Sequence, residues 1–313
     1  MSTSRSSAST SPTLLAALLL AIAACGDDGA PGPDAGPGDP TPMFDDDGMH
    51  IDVRSQVFGG GAGATSITAL LSTTPAPWPY DAPTTAGACR MFVRHDVDGC
   101  NPACPATSMC DAGTCRPLPV PTSAGPLTIA GGGASRSIPF DDGYQLYLST
   151  ALFDAGDDIT ASAPGVDLPS FSLTARLPTP LTLVDTDQLV LAPGHPLTIR
   201  WTTAGDGSRV RVALGADLGH AQWRTVVVEC DVPDDVGAVT VPQAMVDVLA
   251  DRRNWSCGDC FGHEVRRYRR ASITYPGPGA ATSLTLWALQ SASLYLIPSL
   301  PAARPASPPT PAP

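Results

Sequence analysis

The sequence contains no lysine, and it lacks the motifs of the common enzyme classes. All 18 basic residues are arginine. No G-x-S-x-G, H-E-x-x-H or phosphate-binding loop is present, and the second histidine of a zinc peptidase does not follow His263-Glu264. No motif therefore indicates a nucleophilic hydrolase, a zinc peptidase or a nucleotide-dependent enzyme. We expect no catalytic residue and no cofactor.

The acidic charge is concentrated near the start of the chain. The formal net charge is -12, and seven of the 30 acidic residues precede Met49. Residues 49–300 carry 16 arginines and 23 acidic residues, which gives a mildly acidic surface. Nothing in such a charge balance suggests nucleic-acid binding, so we expect no nucleic-acid partner.

An apolar run near the N-terminus predicts export. Residues 14–25, LLAALLLAIAAC, follow a Ser/Thr-rich leader that carries one positive charge at Arg5. The run ends in small residues, which is the layout of an export signal with its cleavage site. We assign residues 1–24 to a signal peptide, of either the lipoprotein or the ordinary secretory kind. Residues 25–48 and 301–313 have little to bury and predict a disordered Pro/Gly/Asp tether and a disordered tail.

The end of this run, Ile22-Ala23-Ala24-Cys25, resembles the lipobox of bacterial lipoproteins. The resemblance implies that Cys25 is acylated, becomes the mature N-terminus and holds the protein to a membrane of the bacterial cell envelope. Gly26 follows the cysteine, which resembles lipoproteins that are sent on to the outer membrane. We therefore expect an outer-membrane location, on the periplasmic or the surface-exposed side.

The nine cysteines predict disulfides. Lipidation of Cys25 leaves eight, and an even number in an exported protein is typical of a disulfide framework. Five lie in the first half of the chain and three in the second, so full pairing needs at least one bridge between the groups. We expect Cys89 to form it, with a stabilisation of about 3 to 5 kcal/mol in the chain-entropy picture. The eight are Cys89, Cys100, Cys104, Cys110, Cys115, Cys230, Cys257 and Cys260.

Four of these cysteines fall within 16 residues, CNPACPATSMCDAGTC at 100–115. Proline and glycine between them cannot build a core, so cross-links must fix this part of the chain. We predict a Cys-rich knot at 89–116. The spacing resembles the knots of exported lipoproteins from myxobacteria and their relatives, in which the knot interrupts a β-rich chain. The resemblance implies a surface lipoprotein and brings no catalytic residue with it.

Cys257 and Cys260 have three interpretations. An oxidising compartment favours a structural disulfide, which we adopt. Together with Cys230 and His263 they also match a Cys3His zinc set, although we expect no metal. The C-x-x-C spacing, finally, resembles the redox motif of thioredoxin-like proteins. Residues 95–99, HDVDG, resemble part of a calcium loop, but the further oxygen ligands are missing and a polar turn is expected.

Alternating apolar residues predict β-strands through the body of the chain. Alternation at 197–201 and 210–214, joined by a Gly-containing turn at 204–207, predicts a hairpin with one buried and one wet face. One helix is predicted at 242–250, with Met245, Val248 and Leu249 on its buried face. Further strands are predicted at 144–148, 171–175, 226–230 and 284–288.

Short strands separated by Gly, Pro and Asp predict an all-β protein made of antiparallel β-sandwich domains, with a small disulfide-rich insert and one short helix. The pattern breaks at 177–180, LPTP. We therefore predict a β-rich domain at 49–177, which contains the knot, and a β-sandwich at 181–300. The stretch PLTIRWTT at 196–203 resembles the Trp-bearing core strand of immunoglobulin-like domains, which implies an immunoglobulin-like C-terminal sandwich.

A dense basic run, Arg266-Arg267-Tyr268-Arg269-Arg270, lies in a predicted strand. It predicts one of two roles: an anion-binding surface for an acidic glycan or a phosphate-bearing lipid, or an edge strand whose charges prevent aggregation. We favour the edge strand.

The whole sequence predicts a non-enzymatic lipoprotein of the cell envelope, a surface-displayed binding or structural module. Its partners are the membrane, through Cys25, and an acidic glycan or another envelope protein. The alternative is an envelope enzyme or carbohydrate-active accessory protein with a site assembled from scattered residues. A concave face with clustered aromatic residues or carboxylates would favour that alternative.

Overall fold

The computed structural model describes residues 49–57, 63–73, 80–95, 100–184, 189–217, 224–252, 263–275, 282–294 and 296–298. Within these ranges the chain forms 20 β-strands, one α-helix and a short 3-10 turn. The prediction of an all-β, disulfide-containing fold is confirmed. No helix in the described ranges is long and apolar enough to cross a membrane.

The strands coincide with the alternating stretches of the sequence, so the predictions at 144–148, 171–175, 226–230 and 284–288 are confirmed. In chain order the strands are β1 (Met49–Val57), β2 (Gly63–Leu70), β3 (Thr84–Ala86), β4 (Cys89–Val93), β5 (Ser108–Asp111), β6 (Thr114–Pro117), β7 (Leu127–Gly131), β8 (Ala134–Ile138), β9 (Tyr144–Leu148), β10 (Asp158–Ala163), β11 (Phe171–Arg176), β12 (Leu183–Val184), β13 (Leu189–Leu191), β14 (Leu197–Trp201), β15 (Arg209–Asp217), β16 (Arg224–Pro233), β17 (Ala238–Val241), β18 (His263–Tyr275), β19 (Thr282–Ser293) and β20 (Leu296–Pro298).

A nine-stranded sheet organises the fold, in the order β3-β4-β16-β15-β18-β19-β1-β2-β9. Its neighbouring strands are antiparallel except for β1 and β19, which run parallel. The smaller sheets of the described chain have the orders β11-β10-β7-β8, β12-β14-β17, β13-β20 and β5-β6. Strands from both sides of residues 177–180 share the large sheet.

One face of the nine-stranded sheet, the core face, is apolar at both of its ends. At one end, side chains of β1, β2 and β19 pack against the four-stranded sheet and form core 1. Full burial of one Ile, Leu or Val side chain stabilises by about 1.5 to 3 kcal/mol, so this packing fixes the two sheets together. Core 1 includes Ile51, Val53, Ile67, Ile129, Ile159, Leu173, Leu284 and Leu286.

At the other end of the core face, β15 and β16 pack against the three-stranded sheet and the helix, and form core 2. The helix, α1 (Gln243–Arg252), matches the predicted span closely. It buries Met245, Val246 and Leu249, whereas Val248 is only half-buried. The buried side of the helix therefore includes Val246, where the sequence predicted Val248.

The predicted hairpin between 197–201 and 210–214 is wrong in its pairing, although both strands exist. β14 pairs with β12 and β17, while β15 pairs with β16 and β18. The two strands instead face each other across core 2, where Ile199 and Val212 are both fully buried. The connecting residues cross from one sheet to the other, and positive φ angles at Gly205 and Gly207 (65° and 75°) allow the turn.

β18 extends beneath both cores. On its core face Val265 belongs to core 2, and Ala271 and Ile273 pack against core 1. Between them, on the same face by the two-residue repeat of a strand, lie Arg267 and Arg269. Charged side chains therefore occupy the core face at the point where the two apolar clusters meet.

Arg267 and Asp234 form a buried ion pair at this junction. Arg267 Nη2 lies 2.7 Å from Asp234 Oδ1, and both side chains are 1 % exposed. The guanidinium also donates hydrogen bonds to the carbonyl oxygens of Thr179, Pro180 and Thr202. The chain at the predicted domain boundary is thus held by a side chain of the central sheet.

Asp234 extends the same network into the three-stranded sheet. Its second carboxylate oxygen accepts a hydrogen bond from the backbone N–H of Ala204 at 2.6 Å. Its carbonyl oxygen accepts one from the indole N–H of Trp201 at 3.0 Å. The Arg267 guanidinium and both carboxylate oxygens of Asp234 therefore have hydrogen-bond partners, as a buried ion pair requires.

Asp206 provides a second tie between the same two segments. Its carboxylate accepts hydrogen bonds from the backbone N–H and hydroxyl of Thr179 and from the backbone N–H of Ser208. Partial burial acts to raise the pKa of Asp206, but the hydrogen bonds from Ser208 and Thr179 outweigh it and lower the pKa to about 2. The ionised form is therefore the one that the fold stabilises.

We predict that Asp206→Asn lowers the free energy of unfolding by about 1 kcal/mol at neutral pH, because neutral asparagine accepts weaker hydrogen bonds. A lowered folded-state pKa contributes stability above pH 4 that is lost as the pH falls through about 2. The difference between wild type and variant should thus shrink from pH 4 to pH 2 in urea titrations. Asp235→Asn, at an exposed position of the neighbouring turn, is the control. Equal behaviour of the two variants at every pH would contradict the assignment.

Candidate anion-binding pocket

The predicted basic run at 266–270 does not lie at a sheet edge. β18 is hydrogen-bonded to β15 on one side and to β19 on the other, so the interpretation as a protective edge strand is wrong. The run also does not form one surface patch, because successive residues point to opposite faces of the sheet. Arg267 and Arg269 lie on the core face, and Arg266, Tyr268 and Arg270 lie on the opposite face.

We call that opposite face the polar face. It carries the charged or aromatic residues Arg209 and Arg211 of β15, Glu229 and Asp231 of β16, and Glu264, Arg266, Tyr268 and Arg270 of β18. The polar face is not solvent-exposed along its whole length, since Arg211 and Glu229 are 1 % and 0 % exposed. The polar face therefore combines buried charges with a partly open end.

Arg266 belongs to the buried part. Its guanidinium contacts Glu264, which also accepts a hydrogen bond from Arg54 at 2.9 Å. Burial acts to raise the pKa of Glu264, but the charges of Arg266 and Arg54 outweigh it and hold the pKa below its usual value. Arg266 is 8 % exposed and is engaged by an acid of its own strand, so it stabilises the sheet.

The open part of the polar face contains a cavity of about 440 Å³. Its side chains come from four neighbouring strands and from β3 at the edge of the sheet. Three arginines stand against one aspartate, so the lining carries a net positive charge. The side chains are those of Thr85, Arg90, Arg209, Asp231, Tyr268 and Arg270.

Asp231 forms the floor of this pocket, and its carboxylate is already engaged. Arg209 donates from Nε to Oδ1 at 2.6 Å, and Arg211 Nη2 lies 3.3 Å from Oδ2. The hydroxyl of Tyr268 donates to Oδ2 as well. Asp231 therefore fixes the positions of two arginines and one tyrosine around the cavity.

Tyr268 remains protonated in this setting. Burial, together with the nearby charge of Asp231, raises the pKa of the phenol to about 12. Beneath it, the Arg211 guanidinium carbon lies 5.1 Å from the Tyr268 ring centre and 4.9 Å from that of Trp287. Such cation–π contacts stabilise a buried arginine and keep its plane fixed.

A disulfide on the core face positions the rim of the pocket. Cys89 of β4 is bonded to Cys230 of β16, which is the bridge between the two cysteine groups that their odd numbers require. Three of the residues next to these cysteines, Ala88, Arg90 and Asp231, line the pocket, since strand neighbours alternate between the two faces. Beside the bridge, the backbone N–H of Asp231 donates to the carbonyl of Ala88 at 3.1 Å, and Ala88 lines the cavity.

The knot contains two more disulfides, Cys100–Cys110 and Cys104–Cys115, around the β5–β6 hairpin. The sulfur atoms of Cys100, Cys104 and Cys115 lie within 4.8 Å of one another. As disulfides they are not the thiolates that bind zinc.

Several predicted features lie outside the described residues. They are Cys25, Cys257, Cys260 and residues 96–99 of the calcium-like stretch. His95, at the edge of that stretch, lies in the described chain, and its Nε2 is 2.8 Å from Asp111 Oδ1.

Sequence reasoning found two of the pocket's side chains, Tyr268 and Arg270, and missed the others. No site predicted from the sequence includes Arg90, Arg209 or Asp231. The signal that could have found them is the charge on the non-core positions of the strands that the structure places at β4, β15 and β16. Their convergence depends on strand order, which the sequence pattern does not reveal.

The sequence matches no protein-family model, and it is not significantly similar to any curated protein. The function is therefore inferred from the site and from the sequence signals.

We predict that Cys89→Ala/Cys230→Ala lowers the free energy of unfolding by about 2 to 5 kcal/mol, because this bridge constrains the longest loop of the unfolded chain among the described disulfides. The amide of Asp231 should also exchange faster with solvent, since its hydrogen bond to Ala88 loses support. Denaturant titration and hydrogen exchange measure both effects.

Cys104→Ala/Cys115→Ala is the matched control. It removes a bridge with a sequence separation of 11 instead of 141, and neither of its cysteines lines the pocket. We expect a smaller loss of stability and an unchanged Asp231 amide. Equal exchange of that amide in both variants would contradict a positioning role of Cys89–Cys230.

Proposed function

We propose that the protein is a non-enzymatic lipoprotein of the bacterial cell envelope, held at the outer membrane through Cys25, whose all-β body is a binding module. The observation that carries the binding role is the pocket on the polar face. General acid or base catalysis needs a group that gains and loses a proton near the working pH. Arginines and a tyrosine with a pKa of about 12 keep their protons there, so they bind charge without moving protons.

The envelope location is supported by two independent features. The N-terminal run with its terminal cysteine resembles a lipobox, and the body contains disulfides that close loops of very different length. Stable disulfides are typical of exported proteins and rare in reducing compartments. The Cys-rich knot in a β-rich chain adds the resemblance to exported lipoproteins of the myxobacterial type.

An envelope enzyme or carbohydrate-active accessory protein has less support. Such a site would present an aromatic ring or a carboxylate to its substrate. Trp287, the indole beside the pocket, is 1 % exposed, and Asp231 already accepts hydrogen bonds from Arg209 and Tyr268. Neither group is presented as a catalytic residue would be.

We predict that Cys25→Ser moves the protein from the membrane to the soluble fraction, because the acyl chains that hold it can no longer be attached. The measurement is fractionation of cells, combined with incorporation of an alkyne-labelled fatty acid. Cys257→Ser/Cys260→Ser, which removes cysteines elsewhere, should remain labelled and membrane-bound. A Cys25→Ser protein that stays in the membrane, or a wild type that incorporates no fatty acid, would contradict the anchor.

A further inference from the structure

We propose that the pocket formed by Arg90, Arg209, Arg270, Asp231 and Tyr268 binds a carboxylated sugar residue of an acidic polysaccharide. This assignment deepens the proposed binding function and rests on it. It differs from the patch that the sequence predicted, because Arg266 and Arg267 are buried and engaged by acids. The site depends instead on side chains that strand order brings together from β4, β15, β16 and β18.

The first argument is the geometry of the donors. A guanidinium has five N–H groups in a planar fork that matches a carboxylate. The contacts of Arg209 with Asp231 use Nε and Nη2, and its side chain is 45 % exposed, so donors remain at the pocket surface. The other two arginines lie over aromatic rings, with the guanidinium carbon of Arg90 5.5 Å from the Phe92 ring centre and that of Arg270 5.5 Å from the Trp287 ring centre.

This arrangement is in place before any ligand arrives. Asp231 holds Arg209, and the rings of Phe92 and Trp287 limit the rotation of the arginines above them. A pre-organised donor loses less conformational entropy on binding than a flexible one. A modest number of contacts can therefore give measurable affinity.

The second argument is the balance of charge. Asp231 lies in the floor with a side chain that is 8 % exposed, so a negative charge remains beneath the ligand. The three arginines outweigh this charge, so the lining as a whole attracts anions, and it attracts a dianion at least as strongly as a monoanion. The charge balance therefore selects an anion, and the neutral polar groups of the lining select a sugar carboxylate over inorganic phosphate.

The third argument is the rest of the lining. The hydroxyl of Thr85 and the backbone of Gly87 and Ala88, all exposed, supply donors and acceptors that suit sugar hydroxyls. The cavity of about 440 Å³ falls in the ordinary range of small-molecule sites. Because exposed residues of β3, β15 and β18 line it, the cavity is open to solvent, and a polymer can enter with one residue and continue outside.

The test is calorimetric titration of the full-length protein in detergent with trigalacturonate. We expect saturable binding that weakens with added salt. Arg209→Gln and Arg270→Gln should each weaken it about tenfold or more, since each removes a charge-assisted hydrogen-bond donor. Arg136→Gln is the control: it makes the same charge change at an exposed position of β8 in another sheet and should leave the affinity unchanged.

Further ligands identify the chemistry. The methyl ester of trigalacturonate keeps the hydroxyls without the charge and should not bind, and inorganic phosphate should compete poorly. Absence of trigalacturonate binding, equal affinity of Arg270→Gln and wild type, or tighter binding to vesicles of an anionic phospholipid would each overturn the proposal.

The Arg270→Gln substitution lies at an exposed position, so the variant should unfold at the same temperature as the wild type. This control separates loss of binding from loss of folding. The Cys25 experiment is independent, so either proposal can fail alone.

Discussion

The buried ion pair between Arg267 and Asp234 is the interaction on which the rest of the structure depends. It lies where the two apolar cores of the large sheet meet, with both side chains 1 % exposed. Through it, the chain at 179–180 and the crossing segment at 202–204 are fastened to the central strand β18. An ion pair that is buried this deeply adds little net stability over an apolar pair, but the loss of one partner leaves an uncompensated charge. Its role is therefore to specify how the segments join.

The pocket follows from the same strand. Because side chains alternate, fixing Arg267 on the core face places Tyr268 on the polar face beside Arg209, its partner in register. The Cys89–Cys230 bridge likewise determines which side chains of β4 and β16 face each way. Its sulfur atoms lie in core 2, and the neighbouring Asp231 lies in the pocket. The core face and the binding surface are thus two sides of one set of strands, and a one-residue slip would destroy both.

The sequence predicted the local structure well because local structure depends on nearby residues. Period-two alternation located the strands, the apolar repeat located α1, and the odd cysteine counts indicated a bridge between the two groups, which Cys89 forms with Cys230. Strand pairing was mispredicted for 197–201 and 210–214, because a Gly-containing turn allows a crossing between sheets as readily as a hairpin. The edge position of 266–270 was wrong for a related reason. Charge density alone does not distinguish an exposed strand from a central one whose arginines are paired internally.

The candidate site was predictable only in part for the same physical reason. Tyr268 and Arg270 stood out as neighbours in a basic run, whereas Arg90, Arg209 and Asp231 lie far apart in the chain and meet only through the sheet order. No local property of 89–93 or 224–233 indicates that β4 pairs with β16. The cysteine counts narrowed the choice only to a contact between Cys89 and one of three later cysteines, of which Cys230 lies in β16.

The central claim is that Arg267 and Asp234 act as one coupled unit, and a double-mutant cycle with Arg267→Met and Asp234→Asn tests it most directly. Each single substitution should lower the free energy of unfolding by about 3 to 5 kcal/mol, because it leaves the other charge buried without its partner. The double variant should lose far less than the sum, with a coupling free energy of about 2 kcal/mol or more. Losses that add to within about 0.5 kcal/mol would contradict the account.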